Sequence, residues 1–301
     1  MIHISFEFKD QAWGGANQFL KGLKSSLQKK GLYSEKANEA KAILFNSHHN
    51  FEIIQRLKTE LPDKKFIHRV DGIMRLYNNP SDTRDDLVQW VNNFVADATI
   101  FQSEWSKSKL LEAKVCDEKP NVVIYNACDE NIFYQKQVSS ITSKTKIIST
   151  SYSNNFKKGF HFYKYLENVI DFEKYDYDFI GRSPVDFSKI QNLVVKSSKE
   201  VSEYLRNSDI YVTASTNDTC SNSLIEAISC GIPCLAFKSG GNTEIIEKTS
   251  SGLVFESDKD FLEKLDFIND NYKELVNNIS PFKLDTIVDE YVNFIKSVIN
   301  K

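Results

Sequence analysis

Residues 217–244, NDTCSNSLIEAISCGIPCLAFKSGGNTE, set one carboxylate, Glu226, inside the apolar run Leu224, Ile225, Ala227 and Ile228. An ionised carboxylate without partners is costly in such surroundings. Glu226 therefore needs donors, either a neighbouring cation or the hydroxyls of a sugar or ribose. Asp218 lies eight residues earlier, a spacing that puts both acids around one ligand when a loop feeds the helix. Between them Ser221, Asn222 and Ser223 favour a helix N-terminus, where free N–H groups and the helix macrodipole attract phosphate. Ordinary capping is the plainer reading of these three residues.

Three further stretches repeat the pattern of glycines or charges where a strand gives way to a helix. In SGGNTEII, Gly240 and Gly241 permit close backbone approach, Asn242 or Thr243 is placed to cap, and Glu244 falls in the first helical turn. In FKKGFHFY, Lys157 and Lys158 precede Gly159, where compact positive charge suits a phosphate and where solvated surface is the bland alternative. In WGGANQFLKGL, Gly14 and Gly15 open a helix without the third glycine and acid of a dinucleotide fingerprint, which argues against hydride chemistry. FIHRVDG ends a strand on His68, Arg69 and Asp71. A loop salt bridge is the plain reading of that trio and a ligand-facing group the functional one.

The elements that must carry these residues alternate short apolar runs with longer amphipathic ones, the mark of parallel sheets covered by helices. The fold class is α/β. Strands are predicted near 2–6, 42–46, 65–70, 98–102 and 121–125, with helices near 15–29, 50–60, 84–95 and 104–113. After the polar, serine-rich stretch 135–144, read as a linker, the pattern restarts. Strands follow near 146–150, 176–181, 193–196, 209–213 and 233–237, with helices near 158–170, 199–206 and 222–230. This division gives an N-terminal domain over 1–140, a C-terminal domain over 141–280 and a closing helix over 281–301 that reaches back to the first domain. Two doubly wound sheets in tandem leave a cleft, and ligands in such sheets gather outside the carboxyl ends of the strands.

Bulk properties narrow the function classes. A formal net charge of -3 and a pI near 6.0 argue against general nucleic-acid binding. The opening MIHISFEFKDQ carries charge early and no long apolar core, so it reads as neither signal peptide nor membrane anchor, and a cytoplasmic protein is expected. Cys116, Cys128, Cys220, Cys230 and Cys234 form an odd set without a C-x-x-C pair, which speaks against disulfides and for small buried hydrophobes. No metal site is expected.

The run SNSLIEAISCGIPCLAFKSGGNTEII resembles the donor-binding segment of retaining glycosyltransferases of family 4, which have the two-domain GT-B fold. WGGANQFLKGL, FQSEWSKSKL, VIYNACDENIF, FKKGFHFY and DFIGRSP match further segments in the same order along almost the whole chain. The resemblance implies two Rossmann-like domains facing a central cleft. It also implies transfer of a sugar, with retention, from a nucleotide diphosphate sugar to an acceptor hydroxyl. The family's glutamate, seven residues, glutamate motif falls on Asp218 and Glu226, the second acid holding the ribose and the first contacting the transferred sugar. Loop amides from Cys220, Ser221, Asn222 and Ser223 would hold the diphosphate, with Gly14 and Gly15 approaching from the other domain. Lys158 matches the phosphate-binding lysine. The arginine five residues before it is Ser153 here, leaving Lys157 or Arg182 to supply charge. Asp71 and His68 fall in the sugar and acceptor region.

The resemblance further implies a metal-independent front-face reaction, in which the departing phosphate takes the acceptor's proton, with UDP-, GDP- or dTDP-sugars as donors and no other cofactor. A glycan or lipid-linked acceptor and a place in cell-surface polysaccharide or glycolipid synthesis follow as expectations. Lys21, Lys24, Lys29 and Lys30, interleaved with Phe19, Leu20, Leu23 and Leu27, either solvate one helix face or touch the inner face of an anionic membrane. The rival readings are a nucleotide-sugar epimerase of the same fold, a non-catalytic sugar-nucleotide binding module, and a bilobal solute-binding protein, which the lack of a signal peptide disfavours.

Overall fold

The computed structural model describes residues 1–9, 15–135, 144–194 and 197–301. The chain divides into two units, one of residues 1–9, 16–126 and 283–301 and the other of residues 10–15 and 127–282. The stretch read as a linker lies, apart from its ends, outside the described residues.

In the first unit, strands β1 (Ile2–Ser5), β2 (Ala42–Asn46), β3 (Lys65–Arg69), β4 (Ala98–Phe101) and β5 (Asn121–Val123) pair in that order, all parallel. Helices α1 (Gly15–Lys29), α2 (Phe51–Glu60), α3 (Met74–Tyr77), α4 (Arg84–Phe94) and α5 (Glu104–Glu112) provide the crossovers. Every residue of β2 and β4 is buried. A parallel sheet covered on both faces demands this, and the unbroken runs AILFN and ATIF meet it. Phe19, Leu20, Leu23 and Leu27 form the buried stripe of α1 at helical spacing.

The second unit is a six-stranded parallel sheet of β6 (Thr145–Ser151), β7 (Tyr175–Gly181), β8 (Gln191–Leu193), β9 (Ile210–Thr213), β10 (Cys234–Phe237) and β11 (Gly252–Phe255). Helices α6 (Phe160–Val169), α7 (Ser198–Arg206), α8 (Asn222–Ser229), α9 (Asn242–Thr249), α10 (Asp258–Asp270) and α11 (Tyr272–Asn278) accompany it. The order is β11-β10-β9-β6-β7-β8. The chain thus builds outward from β6 to β8 and then returns to the other flank of β6 for β9. The connections that leave β6 and β9 lead to opposite flanks of the sheet, toward β7 and β10, and ligands of such sheets gather in the crevice beyond the carboxyl ends of that pair. The described strands of the first unit contain no such reversal.

Helix α12 (Leu284–Ile299) closes the chain and belongs to the first unit. Ser26 Oγ donates to Asp285 at 2.8 Å, Lys30 Nζ pairs with Asp289 at 2.9 Å, and the buried Tyr291 ring lies 5.8 Å from that of Phe19. No helix among the described residues is long and apolar enough to cross a membrane. β11, α10 and α11 lie beyond the strands and helices expected from the sequence. The apolar positions of α10, Phe261, Leu265 and Ile268, are diluted by the charges of DKDFLEKLDFIND, and GLVF is too short to show a period.

Candidate functional site

The crevice between β6 and β9 is where two of the sequence-selected residues meet. Past β6 the chain makes a tight turn over Phe156–Lys158, in which Asn155 Oδ1 accepts the Lys157 N–H at 3.0 Å. Gly159 follows at φ 93°, and a Cβ there would fall 2.6 Å from the Ala214 carbonyl oxygen. Only glycine permits so close an approach to the end of β9. The Thr216 N–H donates to the Lys157 carbonyl at 2.7 Å, and the Ala214 N–H to the Tyr163 hydroxyl at 3.0 Å. Across this seam Lys158 Nζ reaches Asp218 Oδ2 at 2.6 Å, with side chains 19% and 14% exposed. Ser215 Oγ donates to the same oxygen at 3.1 Å.

The loop after β10 fixes the other side of Asp218. Its carbonyl accepts the Gly241 N–H at 2.8 Å, and a Cβ on Gly240, at φ 63°, would come 2.2 Å from that carbonyl oxygen. Asn217, at φ 55°, donates its N–H to Ser239 Oγ at 3.0 Å. Asn242 is no cap: it is fully buried, and its Nδ2 donates to the carbonyls of Ser215 and Phe237 at 3.1 Å each, tying the β9 and β10 loops together. Ser215, Ser239 and Tyr163 are thus site-building residues that sequence reasoning missed, and Asn242 was read there only as a cap. Ser215 and Ser239 lie just past the carboxyl ends of β9 and β10, whereas Tyr163 reaches the site from α6.

Helix α8 starts beside these loops. Ser221 holds the N-cap position but makes no side-chain capping bond; its Oγ lies 3.2 Å from Ser223 Oγ instead. Cys220 and Ser221 are buried, while Asn222 and Ser223 are half-buried. Glu226 sits half-buried further along α8 and has no hydrogen bond or ion pair from its carboxyl to the described residues. Desolvation by the surrounding protein pushes its pKa up to about 8, so the free protein holds it largely protonated at neutral pH. Hydroxyls or another donor set would restore its charge.

Arg182 follows β7. Its N–H donates to the Ser151 carbonyl at 3.0 Å and its guanidinium lies 4.8 Å over the Tyr152 ring. This places a cation against the residue next to Ser153. Lys157 is half-buried, its backbone engaged as described. Gly14 lies outside the described residues. Gly15 groups with the second unit, where a Cβ on it would fall 1.9 Å from Asn222 Nδ2.

In the first unit the carboxyl ends of β2–β5 carry a buried polar network. Arg69, wholly buried, donates to Asn46 Oδ1, to Asp71 Oδ1 at 3.2 Å, to Asn126 Oδ1 at 2.8 Å and to the Tyr291 hydroxyl at 3.2 Å. Asn46 and Gln102 donate to the two oxygens of Asp71 at 2.9 and 2.8 Å. The Asp71 side chain remains 23% exposed.

His68 corrects the expectation of a ligand-facing group. It is 0% exposed, one ring nitrogen lies 3.1 Å from the Ser47 carbonyl and the other 3.1 Å from Asn92 Nδ2. Burial depresses its pKa to about 3, so it is a neutral core residue. Its strand position alternates it inward, while Asp71 lies past the strand end. The imidazole that does reach this edge is His48, which sequence reasoning passed over. It is half-buried, stacked 4.5 Å from His49, and its Nδ1 is buried without a partner among the described residues. Desolvation foremost, then the charges of His49 and Arg84, lowers its pKa.

Among the described residues no group of three or more His, Cys, Asp or Glu side chains is arranged to hold a metal ion. Of the α1 lysines, Lys24 pairs with Glu35 at 2.9 Å, Lys30 with Asp289, and Lys21 donates to the Lys9 carbonyl at 2.5 Å. Lys29 is exposed.

Comparison with known proteins matches residues 189–281 to the family described as Glycosyl transferases group 1. N-acetyl-alpha-D-glucosaminyl L-malate synthase of Bacillus anthracis is 24% identical over 46% of this chain and 42% of its own length. The match thus spans less than half of that relative. Among solved structures, sucrose-phosphate synthase from Thermosynechococcus elongatus superposes with a TM-score of 0.77 at 14% identity, covering 99% of this chain and 98% of that one. Anabaena Alr3699/HepE in complex with UDP gives 0.73 at 14% identity, over 98% and 99%. The strand reversal at β6 and β9 lies in a chain that has the GT-B fold seen in glycosyltransferases, and its residues 189–281 match the Glycosyl transferases group 1 family.

Proposed function

We propose that this chain is a retaining glycosyltransferase that moves a sugar from a nucleotide diphosphate sugar to an acceptor hydroxyl. The observation that carries the reading is the meeting of Lys158 and Asp218 at the β6/β9 reversal, beside the start of α8 and Glu226, which is unpartnered among the described residues. That arrangement offers a cation and helix N–H groups to a diphosphate, and a carboxyl that lacks donors to a ribose. The family match over the same unit and the structural likeness to HepE, solved with UDP, support it.

Catalysis then rests on stabilising charge that develops on the leaving diphosphate and on holding acceptor and donor together. Lys158, the amides of residues 220–223 and Arg182 neutralise the diphosphate; Lys157 and Gly15 border it. The leaving phosphate takes the acceptor's proton, so no protein base is required, and Asp71 and His48 orient hydroxyls on the acceptor side. The donor is a UDP-, GDP- or dTDP-sugar, the acceptor a glycan or lipid-linked sugar, and the product a cell-surface polysaccharide or glycolipid made at the cytoplasmic side.

Incubation with each donor and a sugar acceptor in EDTA, with the product anomer read by NMR, tests this. A product that keeps the donor's configuration is expected. Loss of activity on chelation with recovery in Mn²⁺ would contradict metal independence, and donor conversion without acceptor would favour an epimerase.

A further inference from the structure

Resting on that reading of the site, we infer that Asp218 acts through Lys158, as a positioning residue for the diphosphate-binding ammonium, and does not contact the transferred sugar. The carboxylate is already engaged. Oδ2 receives Lys158 Nζ at 2.6 Å and Ser215 Oγ at 3.1 Å, and both charged side chains are more than four-fifths covered.

The backbone on each side of the pair is fixed independently. The Lys158 N–H donates to the Asn155 carbonyl at 2.9 Å, and its neighbour Lys157 is bound through its carbonyl to the Thr216 N–H at 2.7 Å. On the other side the Asp218 carbonyl takes the Gly241 N–H at 2.8 Å, Gly240 packs under it where a Cβ would not fit, and the Asn217 N–H is held by Ser239 Oγ at 3.0 Å. Neither end is free to swing, so the ion pair sets where the ammonium stands. A charge-assisted hydrogen bond of this length is strong and directional. Lysine, a flexible stem with a point charge, gains most from such a fixed partner.

The two roles give different arithmetic in a double-mutant cycle. The probes are UDP, GDP and dTDP, each set against its monophosphate and its glucose derivative, titrated calorimetrically into wild type, D218N, K158M, the double variant and D218E. A positioning role predicts that D218N weakens diphosphate binding about tenfold while leaving monophosphate binding within about twofold. It also predicts that D218N adds nothing further once Lys158 is methionine, and that D218E, which keeps the charge, recovers most of the loss. Retained monophosphate binding shows the variants are folded. Additive losses in the double variant, or a loss seen only with the nucleotide sugars and not with the bare diphosphates, would assign Asp218 to the sugar and overturn the inference. Wild type that binds monophosphates and diphosphates alike would overturn the role given to Lys158, and binding of none of them would remove the nucleotide-sugar reading itself.

Discussion

At the scale of single residues the decisive quantity is the proton on Glu226. Its carboxyl has an unfolded-state value of 4.5 and is raised to about 8 by desolvation. The folded chain therefore binds that proton more tightly than the unfolded one. Its contribution to stability is fully present below pH 4.5 and is lost as pH rises through 8. A ligand whose hydroxyls donate to the carboxylate favours the charged form, so nucleotide binding at pH 7 expels about one proton. Calorimetry in two buffers of different ionisation enthalpy reads this number directly. Wild type is expected to release close to one proton and E226Q none; equal release from both would remove Glu226 from the ligand's reach. The contrast with His68 is instructive, because both residues lie in apolar sequence. His68 has partners on both ring nitrogens and is finished as a core residue, whereas Glu226 is not.

At the scale of elements, the strands were legible because parallel strands buried on both faces read as continuous apolar runs: AILFN and ATIF fall where β2 and β4 lie. Helices α1, α2 and α4 to α8 were legible from their apolar spacing, whereas the single turn of α3 (Met74–Tyr77) was not. Strand order was not legible. It decides that the loops after β6 and β9 meet, and hence that Lys158 and Asp218, sixty positions apart, form one pair. Nor does sequence show that Asn242 is spent on two loop carbonyls, or that an arginine beside His68 organises the edge of the first sheet. Arg69 joins β2, β3, the segment after β5 and α12 through Asn46, Asp71, Asn126 and Tyr291. An arginine buried this completely persists only with all its donors satisfied. Urea unfolding is expected to show a loss of about 3 kcal/mol for Arg69→Met and about 1 kcal/mol for Tyr291→Phe, which removes one hydrogen bond. Unchanged midpoints for both would mean the network tethers neither Asp71 nor α12.

At the scale of the whole molecule, two parallel sheets of five and six strands differ in one respect that bears on function. The second reverses direction between β6 and β9, and the sequence-selected acid, lysine and α8 start all fall at that reversal. The first carries a hydrogen-bonded polar edge that ends at Asp71. Burial raises the thiol pKa of Cys116, Cys128 and Cys234, which keeps these three protonated and unreactive at neutral pH. The central claim is that the β6/β9 reversal is a nucleotide-sugar site, and thermal unfolding with UDP, GDP and dTDP tests it most directly in wild type and Glu226→Ala. A diphosphate present at a hundred times its Kd adds about 2.7 kcal/mol to the folded state. At least one of the three is expected to raise the wild-type Tm, with the rise shrinking sharply in Glu226→Ala. No rise with any of them, or an equal rise in the variant, would contradict that claim.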